Sequence, residues 1–507
     1  MNLSKTDSTR YLCAAAYLDK NLRELVIQKI LKEEYNAIAK CYGVDLSIVV
    51  QHCLVAKKQE FELDVLLAIL FFLFYFVNII DNLIANNKYF ISANLIIAAI
   101  GIVFVKKWNL RYRVLAQKLS KSNISNSVAK FNFGKSLETR LEKLTQEQNG
   151  NVIVYGGFSP FVGSGSDIGG WSFSLNISKG REEIGKTQQP IPFEVEELYK
   201  HVFNSIRDLD LYGLTIEDKV CVNGQEIQNN SLFLPNPFSH PSYQVDSSVI
   251  KKFVNTDTKH IRAYKHIKVI TWNGELVFSV FLRFRKFKKN LFVENSYFLL
   301  PPVKDDYKEI DTIAPGITFT KIRRVLLDSI LEITFSRFFI LFLFSIEWTE
   351  ANGLFVKFGL SLGLFDLIWV LLPILLKTII EAWLDRSRRK RSERMIKETA
   401  NFNYGAIMSL REIASSSEFS QYFQSLDKEM YFKVIEREII DSLSDFLESK
   451  NIDTSDLKER QMAIFNSGMI VSGGNIKVKT LSVGEQAKAV ISNVVKLSKR
   501  YNKIQVK

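Results

Sequence analysis

The clearest chemical potential in this chain lies in a glycine-rich loop, Gly163–Gly170, with the sequence GSGSDIGG. Glycine permits the positive φ angles at which successive backbone N–H groups converge on an anion or a nucleotide. The candidate ligand-binding residues are therefore Gly163, Ser164, Gly165, Ser166 and Asp167. The alternative is a tight loop whose glycines serve only the close packing of the backbone.

Three enzyme patterns come near this loop, and each lacks a required part. A P-loop needs GxxxxGK[ST] before a helix, but here the lysine is missing and a strand follows. A kinase glycine loop needs matching HRD and DFG elements, which we do not find. A nucleotidyltransferase uses two alternating acids, but the partner position of Asp167 is Gly169, and Asp208 and Asp210 lie far downstream. The pattern favours a protein that is not an enzyme, and a membrane-bound nucleotide-processing enzyme that depends on Asp167 stays an alternative.

A second candidate is a pair of opposite charges, Arg337 and Asp366, within two apolar segments. In an antiparallel helical hairpin these residues lie level with each other, about 20 Å below the turn. An isolated charge inside a bilayer costs roughly 2.5–3.5 kcal/mol, so pairing would offset part of that cost. Gly359 and Gly363 have a GxxxG spacing that is typical of close helix packing. The pair predicts either a structural lock or the charged layer of a small channel or transporter.

Metal and thiol chemistry are not indicated by the sequence. The cysteines form no CxxC pair, and the histidines form no HExxH motif or compact ligand cluster. We therefore predict reduced thiols, structural or solvent-facing histidines, no metal site and no cofactor. These residues are Cys13, Cys41, Cys53, Cys221, His52, His201, His240, His260 and His266.

Four apolar segments flank or follow these groups. Segments at about 65–84 and 89–105 are each near the minimum for a membrane span, roughly 17–20 residues. Lys106 and Lys107 follow directly, and the positive-inside rule places that end in the cytoplasm. Two further segments, at about 331–348 and 354–380, precede a basic run. We therefore predict two transmembrane hairpins in a bacterial inner membrane, with both termini cytoplasmic.

Between the hairpins, the periodicity predicts a cytoplasmic mixed α/β domain with an antiparallel sheet. The fold class is thus an α+β integral membrane protein. The predicted elements of the domain are a strand at 152–155, a strand after Gly170, a helix at 195–209, a hairpin at 219–227 on an Asn223–Gly224 turn, a hairpin at 262–285 turning at 272–274, and a strand at 291–300.

The domain organisation follows from these segments. We expect seven regions, namely an N-terminal cytoplasmic helical region (1–60), a first transmembrane hairpin (61–107), a membrane-proximal helical stalk (108–150), the cytoplasmic α+β domain (151–325), a second transmembrane hairpin (331–380), a cytoplasmic helical region (381–465), and a Gly-rich β tail with a terminal helix (466–507).

The chain is basic, with a formal net charge of +13 over 507 residues. Such a charge predicts an anionic partner, and its position beside the apolar segments favours anionic lipid headgroups over nucleic acid. A second copy of the chain and an unknown protein or small-molecule ligand are further candidate partners.

Three patches carry a family resemblance: TRYLCAAAYLD (9–19), YGGFSPFVGSG with WSF (155–173), and NSGMIVSGG (466–474). On these patches the chain resembles a family of uncharacterised multi-pass membrane proteins of the actinobacterial type. The resemblance implies a multi-pass architecture but no catalytic residue, because that family has no assigned activity. The expected function is a non-enzymatic, membrane-anchored sensing, scaffold or effector module whose cytoplasmic domain binds a ligand or a protein.

Overall fold

The computed structural model describes residues 3, 6–84, 88–119, 134–183, 186–255, 259–313, 318–334, 382–399, 401–459 and 461. Within 70–84 and 88–96, only the helical course of the backbone is described, and not the side chains.

The N-terminal region is a cluster of helices around one apolar core. Helix α1 (Asp7–Leu18) begins where the Thr6 hydroxyl accepts a hydrogen bond from the Thr9 backbone N–H, and α2 (Lys20–Val26) is capped in the same way by Asp19. A π-helical turn, Ile27–Leu31, extends α2. Leu12, Ala15, Val26 and Val49 are completely buried in this core.

Two long helices follow, α3 (Leu46–Ile84) and α4 (Lys88–Trp108). The first part of α3 packs in the N-terminal core, where Val49, Val50 and Cys53 are completely buried. A π-helical stretch, Asn109–Lys118, continues α4, and α5 (Lys135–Asn149) leads into the sheet.

Six strands form a mixed sheet in the order β1-β5-β6-β7-β8-β2. Strand β1 pairs in parallel with β5, whereas β5–β6 and β6–β7 are antiparallel. The bounds are Val152–Tyr155 (β1), Ser166–Asn176 (β2), Leu214–Asn223 (β5), Ile261–Thr271 (β6), Leu276–Phe287 (β7) and Asn290–Leu300 (β8), with a separate two-stranded sheet of β3 (Glu182–Glu183) and β4 (Lys186–Thr187).

Alternation along the strands gives the six-stranded sheet two buried faces. Val152 and Val154 of β1 pack in one apolar cluster with Val220 and Val222 of β5. The opposite face contains Ile153, Cys221 and a set of aromatic rings. Both faces are therefore covered by other parts of the chain, and the polar groups on them are buried.

The remaining helices are short or peripheral to the sheet. They are α6 (Val195–Asp208), α7 (Ser247–Asn255), α8 (Phe319–Thr334), α9 (382–398), α10 (Leu410–Ile413) and α11 (Tyr422–Ser449).

The chain divides into two compact units. The larger unit comprises residues 1–173, 207–286 and 292–432, and it contains the N-terminal helices and most of the sheet. The smaller unit comprises the described residues within 174–206, 287–291 and 433–461. Inside the smaller unit, the ring of Phe193 packs edge-on against Phe446 with centroids 5.1 Å apart, and Lys179 pairs with Asp453 at 2.6 Å.

Across the described ranges, every helix is too short or too polar to cross a membrane. The prediction of an integral membrane protein with two transmembrane hairpins is therefore wrong on this finding. The predicted multi-pass topology and the bacterial inner-membrane location are corrected with it.

Among the described side chains, several of the residues that were interpreted as membrane signals make contacts within the protein, whereas Leu66, Ile69, Ile97 and Val105 are exposed. Helix α3 begins at Leu46 in the core, well before the predicted segment at 65, and its Glu60 pairs with Lys20 at 2.7 Å. Val103, in the second predicted segment, is only 1% exposed. Lys107 donates to the backbone carbonyl of Asp328 on α8. Arg111 pairs with the side-chain carboxylate of the same Asp328 at 3.3 Å. Hydropathy alone does not separate such a packed helix from a membrane span.

Most of the second predicted hairpin lies outside the described residues. Only 331–334 are described, as the end of α8. Arg337, Gly359, Gly363 and Asp366 are not among the described residues, so the charge pair and the helix packing stay predictions.

Candidate ligand-binding site around Lys40

The site begins with the irregular segment 32–45, between the π-helical turn and α3. The side chain of Gln148, near the end of α5, holds this segment on both sides of Lys40. Its Oε1 accepts from the Cys41 backbone N–H at 2.7 Å, and its Nε2 donates to the Ala39 carbonyl at 3.2 Å. Three residues before Lys40, the Ala37 backbone N–H donates to the Tyr404 carbonyl at 2.8 Å. The backbone at Lys40 therefore has a defined position.

The side chain of Lys40 is buried, with 3% exposure, and its ammonium donates to the backbone carbonyl of Glu147. The Lys219 ammonium donates to the carbonyl of Gly150 at 3.0 Å. Both carbonyls lie at the carboxyl end of α5, where helix carbonyls have no partner within the helix and the helix dipole is negative. The end of α5 thus holds two ammonium groups close together.

Burial lowers the pKa of Lys40 to about 7, from an ordinary value of 10.5. Repulsion from Lys219 acts in the same direction, whereas the carboxylates of Glu147 and Glu217 oppose it. Because its hydrogen-bond partner is a neutral carbonyl, the Lys40 ammonium lacks a directly bonded counter-charge. Lys40 therefore changes charge near neutral pH.

A third buried ammonium belongs to Lys268 on β6. The carboxylate of Glu217 bridges two of the lysines, with 2.8 Å to Lys219 and 3.0 Å to Lys268. Burial alone would raise the pKa of Glu217, but Lys268 and Lys219 outweigh it and lower the pKa to about 2. Lys268 also lies 4.8 Å above the ring of Tyr42. We name Lys40, Lys219, Lys268 and Glu217 the lysine cluster.

Lys40 also lines a small cleft with a cavity volume of about 20 Å³. Two acidic or basic side chains share the lining with Lys40, namely Glu147 from α5 and His240 from the loop before α7. The apolar lining consists mainly of Ala37, Ile38, Ala39, Val152, Ile153, Val154 and Val162.

Two buried polar atoms of these lining residues have no hydrogen-bond partner within the described ranges: Oε2 of Glu147 and Nε2 of His240. The other carboxylate oxygen of Glu147 pairs with Arg140 at 3.2 Å. His240 Nδ1 donates to the Pro241 carbonyl at 3.0 Å, and burial lowers the pKa of the ring. The ring is therefore neutral, and its Nε2 is an acceptor. The residues around the cleft thus include a buried lysine that donates to a backbone carbonyl and two acceptor atoms that are themselves buried.

The glycine-rich loop supports this site and already holds an anion of its own chain. The backbone N–H groups of Gly163 and Gly165 both donate to Oε1 of Glu412, at 2.9 and 3.0 Å. The second carboxylate oxygen of Glu412 accepts from the backbone N–H of Ser409, in a capping box at the start of α10. The backbone N–H groups of Gly163 and Gly165, which were predicted to bind an anion, are thus bonded to a carboxylate of the same chain.

Gly163 brings the loop directly against Lys40. Its φ is +96°, and a Cβ there would lie 2.3 Å from the Lys40 carbonyl oxygen, too close for any side chain. The aromatic ring of Phe161 anchors the loop to the sheet, stacked on Phe281 at 4.1 Å. The glycine at 163 therefore permits the contact that positions Lys40.

The structure separates the five predicted binding residues. Gly163 and Gly165 share Glu412, and Ser164 is completely buried. Ser166 and Asp167 are exposed at the start of β2, where Asp167 accepts from the Gly169 backbone N–H at 2.9 Å. These residues do not converge on one site. Asp167 has no second acid two residues later, because that position is Gly169.

The sequence analysis missed Lys40 and Glu147, and it gave His240 only a structural or solvent-facing role. A lone lysine inside the apolar segment AIAKCYG (37–43) is the one local signal that marks the site. Burial of that lysine depends on α5, β1 and β5, which are distant in sequence.

Comparison with protein families gives one match. The AbeC-like domain model matches residues 170–478, a span that includes Glu217, Lys219, His240 and Lys268 but neither Lys40 nor Glu147. No curated protein and no solved structure matches the chain. The chain thus contains an AbeC-like domain, and the match shows neither the multi-pass nor the actinobacterial character that the resemblance implied.

Proposed function

This chain belongs to the AbeC-like domain family, whose model spans more than half of it, and we propose that it is a non-enzymatic sensing module that binds a small molecule in the Lys40 cleft. The observation that carries the proposal is the set of incompletely bonded polar groups in one place. Lys40 has only a neutral carbonyl, and Glu147 Oε2 and His240 Nε2 have no partner within the described residues.

A bound molecule would satisfy these groups. A buried polar atom left without a hydrogen bond costs about 1–3 kcal/mol, so a fold retains few of them unless water or a ligand completes the bonds. The three groups also differ in character, with one donor and two acceptors, which suits a ligand of defined shape.

Binding is favoured over turnover by the state of the ionisable groups. Acid–base catalysis uses two groups whose pKa values are set apart for donating and accepting a proton. Here burial holds His240 neutral, and the lysine amine already donates to a carbonyl. The arrangement therefore supports recognition of a ligand without chemical change.

The test is a thermal-shift screen of the full chain against three sets of small metabolites: neutral, cationic and anionic. The same screen is repeated with Lys40→Met and with a matched control, Lys135→Met, which changes an exposed lysine at the far end of α5. We expect at least one compound to raise the melting temperature of the wild type and the control but not of Lys40→Met. If no shift in any set depends on Lys40, the proposal is wrong.

A further inference from the structure

We propose that one side of α8 is a docking surface for an anionic lipid bilayer, on which the helix lies without crossing it. This inference goes beyond the proposed function, because it concerns a different part of the protein and needs no ligand beside Lys40. The 16 residues of α8 extend over about 24 Å, less than the roughly 30 Å of a bilayer's apolar core. Attachment to a bilayer surface needs no helix that spans it.

The other side of α8 packs against the protein. Val325 and Ser329 are completely or almost completely buried, and the Ser329 hydroxyl donates to the Val325 carbonyl at 2.6 Å. Asp328 pairs with Arg111 at 3.3 Å, and its backbone carbonyl accepts from the Lys107 ammonium on α4. These contacts determine which side of α8 is turned away from the protein.

The side turned away exposes large apolar side chains. Phe319, Leu327 and Leu331 are four or eight residues apart, so they share one helical face, and they are 78%, 52% and 54% exposed. Leu326, at the edge of this face, is exposed as well. In a globular protein the apolar stripe of a helix normally faces the core, so an apolar stripe that faces outward indicates an interaction surface.

Two arginines lie within the same face. Arg323 is one helical turn from both Phe319 and Leu327, and Arg324 follows it; both side chains are exposed. Across the described ranges, neither guanidinium has an ion pair or a hydrogen bond. A long arginine stem can lie among apolar groups while its charged end reaches a phosphate. The outward face of α8 (Phe319, Arg323, Arg324, Leu327 and Leu331) therefore complements a surface that is both apolar and negatively charged.

An anionic bilayer fits this combination better than a second copy of the chain or a nucleic acid does. A two-fold interface brings the same patch of both copies together, so the arginines at 323 and 324 would meet their own counterparts. A nucleic acid would neutralise the arginines but leave Phe319, Leu327 and Leu331 in water. Lipid headgroups and acyl chains satisfy both kinds of group, and the net charge of +13 adds long-range attraction.

The first test is sedimentation of the full chain with two kinds of vesicle, phosphatidylcholine alone and phosphatidylcholine mixed with phosphatidylglycerol in a two-to-one ratio. We expect the mixed vesicles to bind about tenfold more tightly or better, and we expect high salt to reduce this preference. Equal binding to both vesicles, or binding to neither, would overturn the proposal.

The second test removes the charges and the apolar groups separately. Arg323→Gln with Arg324→Gln should weaken binding to the mixed vesicles by about tenfold or more, because each basic residue at an anionic surface strengthens binding about fivefold. Leu327→Ser with Leu331→Ser should weaken it by a similar factor. The matched controls are Lys251→Gln with Lys252→Gln on α7 and Leu426→Ser on α11, all at exposed positions. Losses no larger than those of the controls would contradict the assignment to α8.

The third test reports insertion directly and needs no loss of binding. The native cysteines are buried, so an environment-sensitive dye can be attached selectively to Leu327→Cys, with Leu426→Cys as the labelled control. We expect a blue shift of the dye emission at position 327 when mixed vesicles are added. Vesicle binding without this shift would place the contact elsewhere. Self-association that Leu327→Ser with Leu331→Ser abolishes, without vesicle binding, would assign the face to a second copy and overturn the proposal.

Discussion

Arg10 and Lys40 are both buried cations of the N-terminal region, but their surroundings differ. The Arg10 guanidinium makes two hydrogen bonds to the Asp311 carboxylate, at 2.6 and 2.9 Å, and a third to Asp7 at 3.1 Å. Tyr11 donates to the same Asp311 carboxylate at 2.6 Å. Lys40 has one bond to a neutral carbonyl, and the other polar atoms of its cleft are incompletely bonded.

The pKa values of the two cations move in opposite directions. Burial alone would lower the pKa of Arg10, but Asp311 and Asp7 outweigh it and raise the pKa. At Lys40 burial prevails and lowers the pKa to about 7. The comparison shows how burial can serve two purposes: a fully paired cation joins distant segments, whereas an incompletely paired one is available to a ligand.

The largest expected effect is on stability when Arg10 is removed. Arg10→Met removes the cation that bonds the carboxylates of Asp311 and Asp7, and we expect a loss of about 3 kcal/mol in the free energy of unfolding. Lys40→Met, at a site with no bonded counter-charge, should cost less than about 1 kcal/mol. Urea denaturation measures both values. Equal costs for the two variants would remove the distinction between the cations.

The next effect concerns the loop that positions Lys40. Gly163→Ala combines a positive φ with a Cβ only 2.3 Å from the Lys40 carbonyl oxygen, and it should cost about 2–3 kcal/mol. The control is Gly157→Ala in the same connection between β1 and β2, where a Cβ would meet nothing within 4 Å. Denaturation midpoints for the two variants should differ clearly; similar midpoints would show that the loop can move away from Lys40.

The pH dependence of stability separates the two cations without a ligand. Since the folded-state pKa of Lys40 lies below its unfolded value, the unfolded chain binds more protons above pH 7, and stability rises with pH. From pH 7 to 8.5, below the ordinary thiol pKa, Lys40 should contribute roughly 1.5 kcal/mol of this rise. The contribution should vanish in Lys40→Met and persist in Arg10→Met. Lys268, whose pKa burial also lowers, acts in the same direction in every variant. An identical slope for the wild type and Lys40→Met would show that Lys40 does not titrate in this range.

The smallest expected effect is at the carboxylate that fills the glycine-rich loop. Glu412→Gln removes the charge that the backbone N–H groups of Gly163 and Gly165 contact, and it should cost about 1 kcal/mol. Glu418→Gln, an exposed glutamate after the same short helix, is the matched control and should be neutral. Thermal unfolding measures both; a neutral Glu412→Gln would mean that the carboxylate does not hold the loop.

The sheet strands with strict alternation could be predicted from the sequence. The hairpin at 262–285 is confirmed by β6 and β7, which turn at Trp272–Gly274, and the strand at 291–300 is confirmed by β8. The helix predicted at 195–209 is confirmed by α6. These elements are determined by residues that are near one another in the chain, so the local pattern contains the necessary information.

The hairpin predicted at 219–227 is wrong, and its failure has a tertiary cause. Asn223 ends β5, which pairs with β1 on one side and β6 on the other. Gly224 is needed because a Cβ there would lie 2.2 Å from the backbone nitrogen of Gly405. The glycine that signals a turn in the sequence serves instead the close approach of a segment almost two hundred residues later.

The sequence by itself determined the strand–loop–strand unit around the glycine-rich loop, because alternation and glycine content are local properties. Only the tertiary structure decided that Glu412 fills this loop and that the loop supports Lys40. The ionisation of Lys40 likewise depends on burial by α5, β1 and β5 and on the charges of Lys219 and Glu217. Burial and charge proximity are set by contacts between distant parts of the chain, so no local pattern could reveal them.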